Sequence, residues 1–276
     1  MSGYKVFQNG DILDANTDVN PFLMRQTVMV FDDAADRTAQ LDGDELEGMV
    51  TYLKDVAHLQ RYDGSEWVAA AGLVEIVTFT ADADFEKGDY PWLRAVRVRV
   101  VGGGGAGGGT PANLDTAGGG GAAGAYAESV IAASALDPSE AVTIGEGGAG
   151  VSDGNGIDGT ASIAFGITAG GGGGGFTNAA AVESTASGGQ INVPGSSGGV
   201  PVVVGSGFRE QVGGSGGANV LAGSIRPNAG SAPGTSFDGL PGLFPGGGGS
   251  GAISRSGSAQ AGGAGADGLV IVELYA

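Results

Sequence analysis

Hydrophobic and polar residues alternate in "AVRVRVV" (95–101), which predicts a strand with Val96, Val98 and Val100 on one side and Arg97 and Arg99 on the other. Apolar runs bounded by turn residues predict further strands at "TVMVF" (27–31), "EGMVTYL" (47–53), "HLQRY" (58–62), "LVEIVTFT" (73–80), "AVTIG" (141–145), "SIAFG" (162–166), "QINV" (190–193), "VPVVV" (200–204) and "LVIVELY" (269–275). Two stretches read as helix. "DDAADRTAQL" (32–41) places acidic residues in its first turn, where the helix dipole favours them. Asn20 followed by Pro21 is a helix start, and "FLMRQ" (22–26) is the short helix behind it.

This pattern divides the chain into four. Residues 1–26 form an N-terminal attachment segment whose helix is too short to stand alone. Pro21, Phe22, Leu23 and Met24 are the residues expected to pack at a symmetry axis or on a larger particle. Residues 27–72 form a small, strand-rich α+β module near the lower size limit for independent stability, so oligomerisation is expected. Residues 73–93 are a strand followed by an acidic linker, with Trp92 as a packing anchor. Residues 94–276 hold the remaining strands, separated by glycine tracts, and Val96, Val98 and Val100 are expected to pair with 269–275 and close that domain.

Composition sharpens the last assignment. Of 59 glycines, 52 fall after residue 100. Such tracts cannot fold by burying side chains, and each glycine loses more backbone entropy on ordering than other residues. They are either flexible linkers or polyproline-II-type helices packed on each other, with three residues per turn. Return to a strand after each tract favours the packed helices. The fold class expected is mainly β: a short N-terminal helix, a small α+β module and a glycine-rich β sandwich with polyglycine-II-like tracts.

Candidate chemistry is sparse. "GGGGAGGG" (102–109) fits a dinucleotide-loop spacing, but no helix follows to hold a pyrophosphate. "SDGNGIDG" (152–159) departs from calcium-loop patterns at Ser152 and Ile157 and reads as tight turns. The chain has no cysteine and one histidine, His58, on an alternating strand among charged neighbours. No catalytic residue, cofactor or metal is expected, and the protein is read as a non-enzyme. A net charge of −18 argues against nucleic acid as a partner. No apolar run is long enough for membrane insertion, and the N-terminus has no secretory signal. Phe237, Leu240, Leu243 and Phe244 fall in one glycine- and proline-rich loop and are either a surface-contact patch or a satellite core.

Several words occur in a co-linear series: "DVNPFLMRQTVMVF" (18–31), "EGMVTYLKD" (47–55), "RYDGSEWV" (61–68), "LRAVRVRVVGGGGAGGG" (93–109), "GAYAESVI" (124–131), "VTIGEGGAG" (142–150) and "GADGLVIVELY" (265–275). Together they resemble the glycine-rich fibre and minor tail proteins of tailed phages, particularly phages of actinobacteria. That resemblance implies a homotrimeric virion protein, assembled in the host cytoplasm. It implies attachment to other virion proteins through the N-terminal segment, with the glycine-rich part projecting towards a host-surface receptor. It leaves two alternatives open: a capsid-attached head fibre or decoration protein, and a spacer with no receptor role.

Overall fold

The computed structural model describes residues 28–276 apart from 42, 57, 71, 204–209, 233 and 256. The attachment segment, with Pro21, Phe22, Leu23 and Met24, lies outside the described residues. The chain forms two compact units that divide between Val74 and Glu75.

In the first unit, strands β1 (Val28–Phe31), β2 (Val50–Leu53), β3 (His58–Tyr62) and β4 (Trp67–Ala69) form one sheet in that order. The β1–β2 pair is parallel, which requires a crossover connection, and helix α1 (Ala34–Leu41) provides it. Asp33 caps α1: its Oδ1 accepts the Asp36 N–H at 2.8 Å. Phe31, Leu41 and Leu53 form the core, with Met29 and Trp67 packed against them. The Arg37 guanidinium stacks 4.3 Å from the centre of the Trp67 ring. The first unit thus combines a four-stranded sheet with one crossover helix.

The second unit begins with two five-stranded sheets. One has the order β14 (Ile191–Val193), β9 (Tyr126–Ala132), β7 (Ala95–Val101), β20 (Leu269–Tyr275) and β5 (Leu73–Phe79), the last belonging to this unit from Glu75 onward. The other runs β13 (Ala186–Ser187), β12 (Ile167–Ala169), β11 (Ser162–Ala164), β10 (Ser139–Thr143) and β6 (Ala83–Glu86). The core includes Val96, Val98 and Val100 of β7, Val270, Val272 and Leu274 of β20, and Phe85, Val142, Phe165 and Ile167 of the other sheet. β7 pairs antiparallel with β20 from Ala95–Tyr275 to Val101–Leu269, so the two ends of the domain close on each other as the alternation implies. The opposite face of β7 carries charge. Arg97 binds Glu128 at 2.8 Å and Glu273 at 3.5 Å, and Arg99 also pairs with Glu273. Burial, and then a hydrogen bond to Glu128, push the Tyr126 phenol up to about 12.

Two features differ from the sequence expectation. The stretch after β5, read as an acidic linker, contains β6, and its Phe85 is buried against Tyr90 and Phe165 at 5.3 Å each. Asp82, Asp84 and Glu86 mask this inward-facing aromatic in the sequence. Trp92 packs edge-on to Tyr90 against the same core, as an anchor should. β9 also escapes the pattern, because "YAESVIA" mixes small and polar residues.

The glycine tracts extend from these strands as a hydrogen-bonded lattice. Tract 102–110 sets the pattern. Gly102, Gly105 and Gly108 donate their N–H groups to Ala125, Ala122 and Gly119. Gly103, Ala106 and Gly109 donate to Thr160, Ile157 and Gly154, and Gly104, Gly107 and Thr110 donate to Ala266, Gly263 and Gln260. A backbone whose donors return to the same neighbour every third residue has three residues per turn, the polyglycine-II repeat. Its carbonyls accept from Gly148, from Gly172 and Gly175, and from Gly249 and Ala252. Six tracts therefore surround it. Tract 118–125 is ringed in the same way: it donates to 246–252, 170–176 and 196–199, and accepts from 102–108, Ala181 and 214–217.

Candidate functional site: an apolar ridge at the lattice margin

The lattice interior admits only small side chains, such as those of Ala106, Ala122, Ala123 and Ser250, and larger ones concentrate at its margin. A Cβ on Gly105 would lie 2.0 Å from the Gly173 carbonyl oxygen, and one on Gly107 2.0 Å from the Ser250 oxygen. The outer tracts meet neighbours on only some sides and carry larger residues on the others.

The segment 237–245 is such a margin. It follows β18 (Ser236–Phe237), which pairs with β19 (Ile253–Arg255), itself paired with β8 (Asp115–Ala117). Gly239 and Gly242 donate to Ala261 and Ala264 of one neighbouring tract. The carbonyls of Leu240 and Leu243 accept from Ser250 and Gly247 of another. Backbone bonding thus occupies two sides of the segment.

Leu240 and Leu243 lie three residues apart, so the lattice repeat sets them along one edge, about 9 Å apart at a rise of roughly 3.1 Å per residue, and Phe237 ends the strand that leads into this segment. All are open to solvent: Phe237 is 43% exposed, Leu240 37%, Leu243 43% and the adjoining Phe244 56%. These four side chains are thus not enclosed in a core of their own among the described residues. Pro241 leaves one fewer N–H to satisfy and fixes a φ compatible with this helix.

The fold adds residues that sequence reasoning missed. Asn219 donates to the Pro245 carbonyl at 2.8 Å, and its Oδ1 accepts the N–H groups of Leu221 and Ala222. This ties the loop bearing exposed Val220 and Leu221 to the end of the ridge. Their only sequence signal is an apolar pair between glycine tracts. Exposed Ile157, Phe176 and Val182 lie on tracts bonded to the other sides of the lattice and do not share this regular spacing.

Other candidates have different roles. Asp153 adopts a left-handed turn conformation (φ 52°), in keeping with the tight-turn reading of 152–159. Asp82 and Asp267 line one cleft with Glu146, and each already accepts a backbone N–H, from Ile144 and Gly147. His58 lies on β3.

A family model described as "Glycine-rich domain" matches residues 86–275. The chain belongs to this glycine-rich domain family. The matched span begins at the end of β6 and closes on β20, so it takes in the lattice, the ridge and most of the sandwich that frames them. No curated protein matches the chain.

Proposed function

We propose that this protein is a structural virion component of a tailed phage, a tail-fibre or minor tail protein that binds and does not catalyse. Its N-terminal segment attaches to other virion proteins, the first unit helps to assemble a homotrimer, and the glycine-rich domain projects outward to the host surface. The observation that carries this reading is the exposed apolar row Phe237, Leu240, Leu243 and Phe244 on a lattice margin fixed by backbone bonds. A lattice of this kind is stiff without a large hydrophobic core. It can therefore hold apolar side chains in water, at fixed spacing, without collapsing around them. The co-linear resemblance to phage fibre proteins and membership of the glycine-rich family support the same reading.

The test is competition for adsorption. Purified full-length protein added to host cells should lower adsorption of the parent phage, and the double variant Leu240→Ser, Leu243→Ser should compete at least about tenfold less well. Exposed substitutions of this kind change stability by only about 0.5 kcal/mol, so the variant should fold. Equal competition by both proteins would remove the ridge from the reading. A failure of the wild-type protein itself to compete would favour the spacer or head-decoration role.

A further inference from the structure

One dipeptide recurs in the lattice with the same paired bonding. At Asp158–Gly159, the Gly159 N–H donates to the Gly172 carbonyl at 2.8 Å, and the Gly174 N–H donates back to Asp158 Oδ1 at 2.6 Å. At Asn155–Gly156, one turn earlier, Gly156 donates to Gly175 at 2.8 Å and Thr177 donates back to Asn155 Oδ1 at 3.3 Å. At Asp267–Gly268, Gly268 donates to Gly145 at 2.7 Å and Gly147 donates back to Asp267 at 2.8 Å. In all three pairs the return donor lies two residues beyond the acceptor. At Asp238–Gly239, the N–H and carbonyl of a single residue, Ala261, serve both bonds at 2.8 Å.

The lattice explains the recurrence. In the pair of tracts 154–160 and 170–176, backbone donation runs from the first to the second at Gly156 and Gly159. The Gly174 N–H of the second tract and the Thr177 N–H just past its end donate to side-chain acceptors on the first. A short Asp or Asn side chain supplies this return bond, and the glycine after it leaves room for tract 102–110, because a Cβ on Gly159 would lie 2.4 Å from the Gly103 carbonyl oxygen.

Asx–Gly is also the dipeptide most open to succinimide chemistry. The glycine nitrogen attacks the side-chain Cγ, a C–N bond forms, and the nitrogen gives its proton to solvent. Water leaves from aspartic acid, or ammonia from asparagine. Hydrolysis of the ring by water then yields aspartate or isoaspartate. Attack requires the glycine nitrogen to turn towards Cγ. In the four pairs described, that nitrogen is held by one tract-to-tract bond and the side-chain oxygen by another, so both must break first.

Asp153–Gly154 is built differently. The Asx residues of all five pairs are exposed, but Asp153 sits in a left-handed turn and a Cβ on Gly154 would meet nothing closer than 3.9 Å. Among the described residues, neither the Asp153 carboxyl nor the Gly154 N–H takes part in such a pair of bonds.

We propose that Asp153–Gly154 is the isoaspartate-forming site of this domain, and that the other four Asx–Gly pairs are shielded clamps while the lattice is closed. Full-length protein is incubated warm near neutral pH for weeks, and isoaspartate is located by enzymatic methylation and peptide mass spectrometry. Asp153 should convert about tenfold or more faster than Asp158, Asp238 and Asp267, the factor produced by an opening cost of only about 1.4 kcal/mol. In guanidinium the four Asp–Gly sites should converge, and Asn155 should lose its amide much faster than in the folded chain. Conversion of the clamped sites as fast as Asp153 in the folded chain would overturn the proposal. So would a difference that persists in guanidinium, because local sequence and not the clamp would then set the rate.

Discussion

At the scale of single residues, the lattice turns the usual meaning of glycine around. In tract 102–110 glycine is needed for what it lacks: each added Cβ meets a neighbouring backbone and not a movable side chain. Gly105→Ala should therefore cost about 3 kcal/mol or more, at or beyond the upper end of ordinary overpacking. Gly223→Ala is the control. A Cβ there meets only Leu243 Cδ1, at 3.8 Å, and the smaller unfolded-state entropy should leave stability unchanged or raised by up to about 1 kcal/mol. Chemical denaturation of the two variants compares them directly, and equal losses would mean that glycine content, not position, sets stability. Purity and position do not coincide everywhere. Tract 170–175 is all glycine, yet a Cβ on Gly173 would lie 3.2 Å from the Val182 carbonyl oxygen, a tight contact but a far milder one than at Gly105.

At the scale of elements, strands supply what glycine tracts cannot. A tract without side chains carries no code for register, because every three-residue slip offers the same bonds. β7 leads directly into 102–110, 118–125 leads towards β9, and 261–268 leads into β20, so strand pairing fixes where each tract begins. β20 lies between β7 and β5, and its Val270, Val272 and Leu274 are fully buried. Each such side chain contributes roughly 1.5–3 kcal/mol, against a whole-domain stability of about 5–15 kcal/mol. Deleting 269–276 should abolish protease resistance of the glycine domain, whereas a resistant fragment would show that the lattice sets its own register. In the first unit, the turn between β3 and β4 depends on Asp63, whose Oδ1 accepts from the Glu66 and Ser65 N–H groups and the Ser65 hydroxyl. These bonds hold its carboxyl down to about 2, below the usual 3.8. A depressed carboxyl stabilises the fold above its unfolded value and loses that contribution as pH falls through its folded value. The stability advantage of wild type over Asp63→Ala should therefore be constant above about pH 4 and shrink towards about pH 2. Urea unfolding followed by Trp67 fluorescence reads it, and a pH-independent difference would contradict the assignment.

How much of this was legible follows from where the information lies. The alternation of Val96, Val98 and Val100 declares both a strand and its buried face, and "LVIVELY" declares its partner. β6 and β9 were hidden because acidic or small residues dilute their apolar positions, and their pairing comes from neighbours far away in sequence. The row Phe237, Leu240, Leu243 was visible as apolar residues in one loop. The spacing of Leu240 and Leu243 gained meaning only from a three-residue helix, and the row's exposure only from the neighbours that occupy its other sides. Val220 and Leu221 join it through Asn219, a contact no local pattern encodes.

At the scale of the whole molecule, the account rests on where the glycine domain is displayed. A chain with a net charge of −18 and a backbone-bonded lattice is suited to standing in water at the end of an assembly, with its apolar row held open. The direct measurement is gold-labelled antibody against residues 101–276, applied to intact particles of the source phage and viewed by electron microscopy. The account predicts label at the tail tip or side fibres. Label over the head would make the protein a capsid fibre or decoration, and no label on any particle would contradict the virion reading altogether.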